Sequence, residues 1–368
     1  MYSASAIYGI KENGFSRSIA AVLAEKTEHH FFVGSFSAKL QNEVHLVSYV
    51  EDRPKITCER IFNHPGEVWE IAPTPFDANV LATIVRENYE NNMVKLWEIP
   101  EAGADAGLEN ENLTEKLTLE GGDKQINSVL WNLSTDDSLN DSLITIDGSC
   151  MKLWDLTKTT GKASEATSYD IDEGRCTKGM RDPHHGKIVT ICNDKSILTY
   201  DTRDKKVSNT TKNAHSQTIL DIDYNPNKPY HIVTGGQDCC VKFWDARKTA
   251  KPLKVLDDHS HWVWSVKYNR FHDQLVLTAG SDSMLKLWRA ISISSVPLTY
   301  DIDLGAETAG GHERDEDELL STFEEHEDSI YSVSWSSAEA WIFASVSYDG
   351  KVVVNQVPKE EKYKILLQ

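Results

Sequence analysis

The chain is poor in cysteine, in long apolar runs and in positive charge, and each shortage removes a class of protein. Six cysteines in 368 residues (Cys58, Cys150, Cys176, Cys192, Cys239 and Cys240) show no paired spacing. A disulfide-stapled scaffold and a Cys-x-x-Cys metal site are therefore excluded, and reduced, mostly buried thiols are expected. No apolar stretch approaches the roughly 20 residues that span a bilayer; the best run covers only residues 19–24. Residues 1–10 lack a cationic segment followed by an apolar core, so no secretory leader and a cytoplasmic location are expected. Lys plus Arg number 38 against 57 Asp plus Glu, a formal charge of −19. That sign argues against a binder of nucleic-acid backbones, which needs a basic footprint. Neither a phosphate-binding Gly-x-x-x-x-Gly-Lys-[Ser/Thr] loop nor a dinucleotide fingerprint occurs, so no nucleotide cofactor is expected.

What is present is ordinary globular composition, 40% apolar and 9% aromatic, with a repeat running through it. Four segments are alike: Val94-Lys-Leu-Trp97-Glu, Met151-Lys-Leu-Trp154-Asp, Val241-Lys-Phe-Trp244-Asp and Leu285-Lys-Leu-Trp288-Arg. The spacing leaves a gap halfway between Trp154 and Trp244, and Ile197-Leu-Thr-Tyr200-Asp fills it. Degenerate copies stand at the ends, as Val44-His-Leu-Val47-Ser and Val352-Val-Val-Asn355-Gln. Upstream of these lie further recurring pieces, clearest in the fifth copy: Ala214-His215, Ile219 to Pro226, His231 to Gly236, then Asp238 six residues before Trp244. Each copy holds three period-2 strands separated by turn residues, with room for a fourth before the next His. A period of about 40–45 residues with this punctuation is the signature of a WD-repeat β-propeller blade.

The fold class is thus all-β, a single-domain, seven-bladed WD40 β-propeller. Blade limits are expected near 5–60, 61–117, 118–168, 169–212, 213–256, 257–321 and 322–368. Two insertions, 101–120 and 300–320, are expected to be solvated loops. Within the second, residues 301–318 hold eight acids against Arg314 alone. Both the N-terminal Ile7-Tyr-Gly-Ile and the C-terminal Tyr363-Lys-Ile-Leu-Leu367 look strand-like, so either could close the ring.

The set His215, Thr234, Asp238 recurs as His259, Thr278, Asp282 and as His326, Ser345, Asp349, and resembles a hydrolase triad. Nucleophilic catalysis needs one exposed hydroxyl beside an oxyanion hole, and nothing offers a Gly-x-Ser-x-Gly elbow. Threefold recurrence favours a structural role: with Trp244 and Trp288 these residues would form buried tetrads tying each inter-blade loop to its sheet. In blade two the set is His64, Thr83 and Trp97 with Asn91 where Asp is expected, and blade four has Thr190, Asp194 and Tyr200 without a His. The pairs His29-His30, His184-His185 and Cys239-Cys240 would point to opposite faces of a strand, a poor chelate. No catalytic residue, metal or cofactor is expected.

Aligning the first strand of the blades gives Glu67-Val68-Trp69, Gln125-Ile126-Asn127, Thr218-Ile219-Leu220, Trp262-Val263-Trp264 and Ser329-Ile330-Tyr331. The middle residue belongs to the core and its successor would line the mouth of the central channel. That gathers Trp69, Leu220, Trp264 and Tyr331 around one opening, with Trp262 and Glu67 at its edge, as candidate partner-binding residues.

Longer phrases are more specific than the repeat: His64-Pro-Gly-Glu-Val-Trp69, Asp221 to Lys228, His259-Ser-His-Trp-Val-Trp264 continuing to Leu277, and Glu324 to Tyr331 running into Trp335 and Ser347-Tyr-Asp-Gly350. With the acidic insertion, they resemble the EARP and GARP complex-interacting protein family. The resemblance implies a non-enzymatic partner of these endosomal and Golgi vesicle-tethering complexes, a monomer within a larger assembly. It implies peripheral association with endosomes and the trans-Golgi network, action in retrieval to recycling endosomes or that network, and sorting of dense-core vesicle cargo. Two alternatives rest on shorter signals. Trp244-Asp-Ala-Arg247 and Tyr200-Asp-Thr-Arg203 resemble the box by which some WD proteins serve as substrate receptors of cullin-RING ubiquitin ligases. The acidic insertion would also suit a histone-binding WD module.

Overall fold

A computed structural model of the chain describes residues 5–10, 14–38, 41–88, 91–101, 110–120, 125–132, 142–156, 164–171, 174–204, 206–296 and 317–367. Among the described residues the strands form seven sheets, each at least four strands wide and antiparallel but for one added strand in the first. Their innermost strands are Ser16–Ala21, Glu67–Pro73, Ile126–Trp131, Cys176–Arg181, Ile219–Tyr224, Val263–Tyr268 and Ile330–Trp335. Each packs beside the next and the last beside the first, so the architecture is the seven-bladed propeller that the repeat predicts.

The core lies between the blades. Seven apolar clusters occur, one at each junction of neighbouring sheets. Alternation along a strand therefore divides its side chains between two cores rather than between core and water. In Ile342–Ser347, for example, Ile342, Ala344 and Val346 enter the junction with blade one, while Phe343 enters the junction with blade six. This is why the second strand of several blades, such as Leu275–Gly280, is buried at every position. Close approach of the sheets leaves some positions without room for a side chain. A Cβ on Gly235 would stand 2.8 Å from Val263 Cγ1 and 2.9 Å from Val266 Cγ1 of the next blade.

The N-terminus closes the ring. Ala6–Gly9 is the outer strand of the last sheet, pairing antiparallel with Lys351–Gln356 in the register Ala6 to Val354 and Gly9 to Lys351. The first blade accordingly begins at Ser16, and residues 6–9, assigned to it by the 5–60 limit, belong to the seventh. The limits at 60, 117, 168 and 321 also fall inside strands, Lys55–His64, Thr114–Glu120, Ser164–Asp170 and Glu318–Phe323.

The strand-like C-terminus is instead a helix, Lys359–Leu366. Pro358 precedes it and Glu360 and Glu361 lie in its first turn, where carboxylates suit the helix dipole. Ile365 enters the blade six/seven core, and Glu361 accepts two hydrogen bonds from Arg289 Nη1 (3.1 and 3.2 Å). Tertiary anchoring thus overrides the β-like sequence.

Neither insertion is wholly loop. Glu111–Asn112 adds a fifth, parallel strand to blade one, and Thr114–Glu120, with Leu117 and Leu119 buried, is the outer strand of blade two. Arg60 fixes this crossing by donating through Nε to Glu111 Oε1 (2.9 Å). Residues 102–109 and 297–316 lie outside the described residues, and with them most of the acidic segment. At its end Asp317 is bound by Lys254 and by the backbone N–H of Ser292 (2.8 Å), and Glu318 opens the outer strand Glu318–Phe323 of blade six.

Removing residues 1–10 strips the outer strand from the last sheet and uncovers the core that Ala6 and Ile10 help to fill. Losing those buried side chains and the strand's hydrogen bonds is expected to cost about 3 kcal/mol. Urea unfolding of the truncated chain measures it; an unchanged midpoint would show that closure does not depend on this strand.

Candidate functional site

All seven innermost strands carry the same irregularity. Their pairing with the second strand slips by one residue at Arg17, Trp69, Asn127, Thr177, Leu220, Trp264 and Tyr331. A bulge leaves one residue unpaired and re-aims its side chain. Here the preceding residue stays fully buried, from Ser16 and Val68 to Ile330, while the bulged one turns to the central channel. The channel has a volume of about 850 Å³ and all seven bulged residues line it.

The ring of bulged residues is chemically lopsided. Blades three, four and five contribute Asn127, Thr177 and Leu220, and the other four contribute three aromatic rings and an arginine. Trp264 and Tyr331 lie 4.8 Å apart between ring centroids, and Trp262 meets Trp264 edge-on at 5.9 Å. Tyr348 extends the arc from Tyr331 (5.8 Å), stacks on Phe15 (4.7 Å) and approaches Phe36, which meets Trp69 edge-on at 5.1 Å. The Arg17 guanidinium sits among them, 4.6 Å from the Trp69 ring, 4.9 Å from Tyr331 and 5.6 Å from Trp264. Burial lowers its pKa, partly offset by Tyr331 and Glu70 nearby.

Of the six residues proposed from the alignment, Trp69, Trp264 and Tyr331 converge on Arg17. Trp262 borders them and is 37% exposed, Leu220 stands on the polar side of the ring, and Glu67 is buried, accepting from Trp69 Nε1 (3.2 Å). Arg17 and Thr177 escaped the alignment because the core residue before each is Ser16 or Cys176 rather than an aliphatic. Tyr348, Phe15 and Phe36 come from loops and could not be placed by repeat logic.

Deeper in the channel the polar side chains join blade to blade. Ser18 Oγ accepts from Ile71 N–H (2.9 Å), Ser128 Oγ from Gly179 N–H (3.2 Å) and Asp221 Oδ2 from Val266 N–H (3.0 Å). Lys267 pairs with Asp221 (2.6 Å) and Lys178 with Glu70 (2.7 Å). Burial pushes the Asp223 carboxyl up to about 6, against the pull of Lys267 and the Tyr268 N–H.

The His-bearing sets are buried relays. In blade five, Trp244 Nε1 donates to Thr234 Oγ1 (3.0 Å), Thr234 lies 2.8 Å from His215 Nε2, and His215 Nδ1 lies 2.8 Å from Asp238 Oδ1. A carboxylate only accepts, so Nδ1 carries the proton and Nε2 accepts from the threonine. Blade six repeats this with Trp288, Thr278, His259 and Asp282 at 2.9, 2.8 and 2.9 Å. Burial raises the Asp238 carboxyl, but the hydrogen bonds it accepts from His215 and from the Ser216 backbone N–H, with the nearby Lys242 charge, outweigh it and hold it well below the usual range; burial lowers His215, which favours its neutral form. The threonine hydroxyls are wholly buried and bonded on both sides, which leaves no exposed nucleophile in the triad-like set.

Blade seven departs from the expected set. His326 Nε2 lies 2.7 Å from Ser345 Oγ, but its Nδ1 bonds Ser347 Oγ (2.7 Å), and it is Ser347 that contacts Asp349. Ser347 occupies the position of Gly236 and Gly280, where a Cβ would press on the histidine and aspartate of the relay. Where that residue is glycine, His meets Asp directly; where it is serine, the hydroxyl relays. Asn355, in place of Trp, is 1% exposed with neither amide atom hydrogen-bonded. In blade two, His64 Nδ1 lies 2.7 Å from the Gly66 carbonyl while Nε2 keeps Thr83 (3.0 Å); the Asn91 side chain lies outside the described residues. Blade four substitutes a bond from Thr190 to the Tyr224 hydroxyl (2.6 Å).

The remaining candidates are engaged locally. Arg247 and Arg203 each form paired hydrogen bonds with the aspartate two residues before, Asp245 and Asp201. His184 reaches the Asn225 carbonyl (3.0 Å), and His185 stacks on Tyr230 (4.9 Å). Cys239 and Cys240 lie in or beside the turn before Val241–Asp245. His29, bonded through Nδ1 to Ser336 Oγ (2.8 Å), brings a ligand atom within 4.8 Å of the exposed Glu51 and Glu339, a grouping with no counterpart among the described residues of the other blades.

A seven-sheet ring with complete His-Thr-Asp-Trp relays in blades five and six and a cluster of aromatics at its channel mouth is a WD-repeat propeller of the protein-interaction class. More narrowly, the chain belongs to the EIPR1 beta-propeller family, which residues 2–288 match; residues 317–354 match the WD domain, G-beta repeat. It is 37% identical to EARP and GARP complex-interacting protein 1 of Rattus norvegicus over 99% of both chains. It is 33% identical to WD repeat-containing protein DWA2 of Arabidopsis thaliana over 95% of both, and 32% identical to the EARP-interacting protein homolog of Dictyostelium discoideum over 96% of this chain and 95% of that one.

Burial depresses His326 to about 4, the Asp349 charge opposing and Lys351 adding to the effect. An unfolded histidine titrates near 6.5, so folding favours the neutral ring: the stabilisation is complete above pH ~6.5 and is lost as pH falls towards 4, by about 3 kcal/mol in all. Urea unfolding across this window should show the gap between the parent and His326→Gln narrowing as pH falls. A constant gap would mean that His326 does not titrate there.

Proposed function

We propose that this chain is a non-enzymatic scaffold that binds the EARP and GARP vesicle-tethering complexes. It acts in endosomal retrieval to recycling endosomes or the trans-Golgi network and in sorting dense-core vesicle cargo, held peripherally at those membranes by its partners as a monomer within a larger complex. The observation that carries this reading is end-to-end likeness, 99% of both chains, to a protein named for interacting with those complexes. A ring that keeps blade order and length can present the same faces as its relatives. Among the described residues no helix is long and apolar enough to cross a membrane, which suits recruitment through a partner.

The docking face is the channel mouth. Tryptophan and tyrosine are favoured anchors because they supply large contact area at small entropic cost. The arc from Trp262 through Tyr348 to Phe36 gathers such anchors on one face.

Affinity purification of the tagged chain is expected to recover tethering-complex subunits. Trp262→Ala with Trp264→Ala should lower that recovery at least tenfold, the loss of two anchors worth about 1–2 kcal/mol each or more. Absence of tethering subunits from the parent sample would reject the function. Full recovery by a folded double variant would reject the face.

A further inference from the structure

The mouth contains a cation whose hydrogen-bonding capacity is unspent. Arg17 is half-buried and held by the faces of Trp69, Tyr331 and Trp264, and among the described residues no carboxylate or carbonyl accepts from its guanidinium. Among the other cations of the wall Lys178 is matched by Glu70 and Lys267 by Asp221, and Arg181 donates to the Gly186 carbonyl (2.7 Å); Arg175 and Arg270 also line the channel, but among the described residues neither has an aromatic ring against it. The carboxylates near the mouth are also occupied, Glu67 by Trp69 Nε1 and Asp194 by the Arg175 backbone N–H (3.1 Å).

Aromatic faces attract a guanidinium but do not use its N–H groups, which lie in the plane of the fork. Partial burial has removed some of the water that would satisfy them. An arginine so placed is pre-organised for a planar, two-oxygen acceptor, and a carboxylate is that acceptor. The rings around it offer apolar contact to whatever side chain accompanies the carboxylate. The whole chain carries −19, which repels a long polyanion, but cations outnumber carboxylates in the channel lining, so the local field favours a single carboxylate there.

We propose that the channel mouth is a receptor for an acidic side chain on an exposed loop of the protein partner. That Asp or Glu pairs with Arg17, and an adjacent aromatic or large aliphatic residue packs on Trp262, Trp264 and Tyr331. The proposal rests on the reading of the mouth as the docking face and specifies its chemistry.

The test is selection of random peptides displayed on phage against the full chain, followed by anisotropy titration of synthetic versions of the enriched sequences. Enrichment of Asp or Glu next to Phe, Trp or Leu is expected. Arg17→Gln should weaken binding at least tenfold and Arg17→Lys, which keeps the charge but loses the fork, by less. Replacing the peptide's Glu by Gln should cost the parent a similar factor and leave Arg17→Gln unaffected. Failure to enrich acidic peptides, or equal affinity of Arg17→Gln and the parent, overturns the proposal. If Arg17→Gln does not fold, the Glu-to-Gln peptide pair decides on the parent alone, and equal affinity of the two overturns it. Recovery of tethering subunits by Arg17→Gln separates the two readings: full recovery with lost peptide binding keeps the carboxylate receptor and removes the mouth as the tether's site.

Discussion

Everything in this molecule depends on sheet-to-sheet packing between neighbouring blades. Each of the seven apolar clusters is assembled from two blades, so no sheet owns a core that it could keep alone. A repeat of this kind gains its stability from neighbour contacts, and in a ring the last contact exists only once the first and last blades meet. The N-terminal strand meets that demand by completing the seventh sheet, which joins opposite ends of the chain and covers the Lys351–Gln356 edge.

Two devices reconcile this packing with a usable surface. The His-Thr-Asp-Trp relay satisfies buried polar groups in series and fastens the loops that lead into the inner strands of blades five and six, with a serine-relayed form in blade seven. In blades five and six a lysine two residues before the tryptophan adds a second tie, Lys242 to the Ala214 carbonyl (2.9 Å) and Lys286 to the Asp258 carbonyl (2.7 Å). The bulge that follows turns one side chain per blade out of the core. Because the loop is fixed, the bulged side chain is presented on rigid backbone, and seven such positions make a ring whose chemistry can vary without disturbing the cores. In this chain the variation has put aromatics on one side of the ring and polar or aliphatic residues on the other. Charge is distributed on the same principle. The channel wall pairs Lys178 with Glu70 and Lys267 with Asp221, and among the described residues it leaves Arg17 without a carboxylate.

Fold class, blade number, the members of the tetrads and most of the aromatic ring were legible in the sequence, because each is a local pattern at a fixed spacing. Periodicity locates strands, and repetition locates what repeats. Three kinds of feature were not legible. Ring closure was ambiguous because Ile7-Tyr-Gly-Ile and Tyr363 to Leu367 have similar local propensity; only the Val352–Val354 edge, and the Arg289 and blade six/seven core that hold Glu361 and Ile365, decide between strand and helix. The direct His326-to-Asp349 contact that the repeat predicts does not form, because Ser347 rather than glycine stands between them. Arg17 was missed because its meaning lies in three rings from blades two, six and seven. What each blade is can be read from the amino-acid order, since blade structure follows from short-range spacing. Tertiary structure alone decided what the blades do together, since a junction, a closure and a channel mouth are made of residues far apart in the chain whose contact no local spacing encodes.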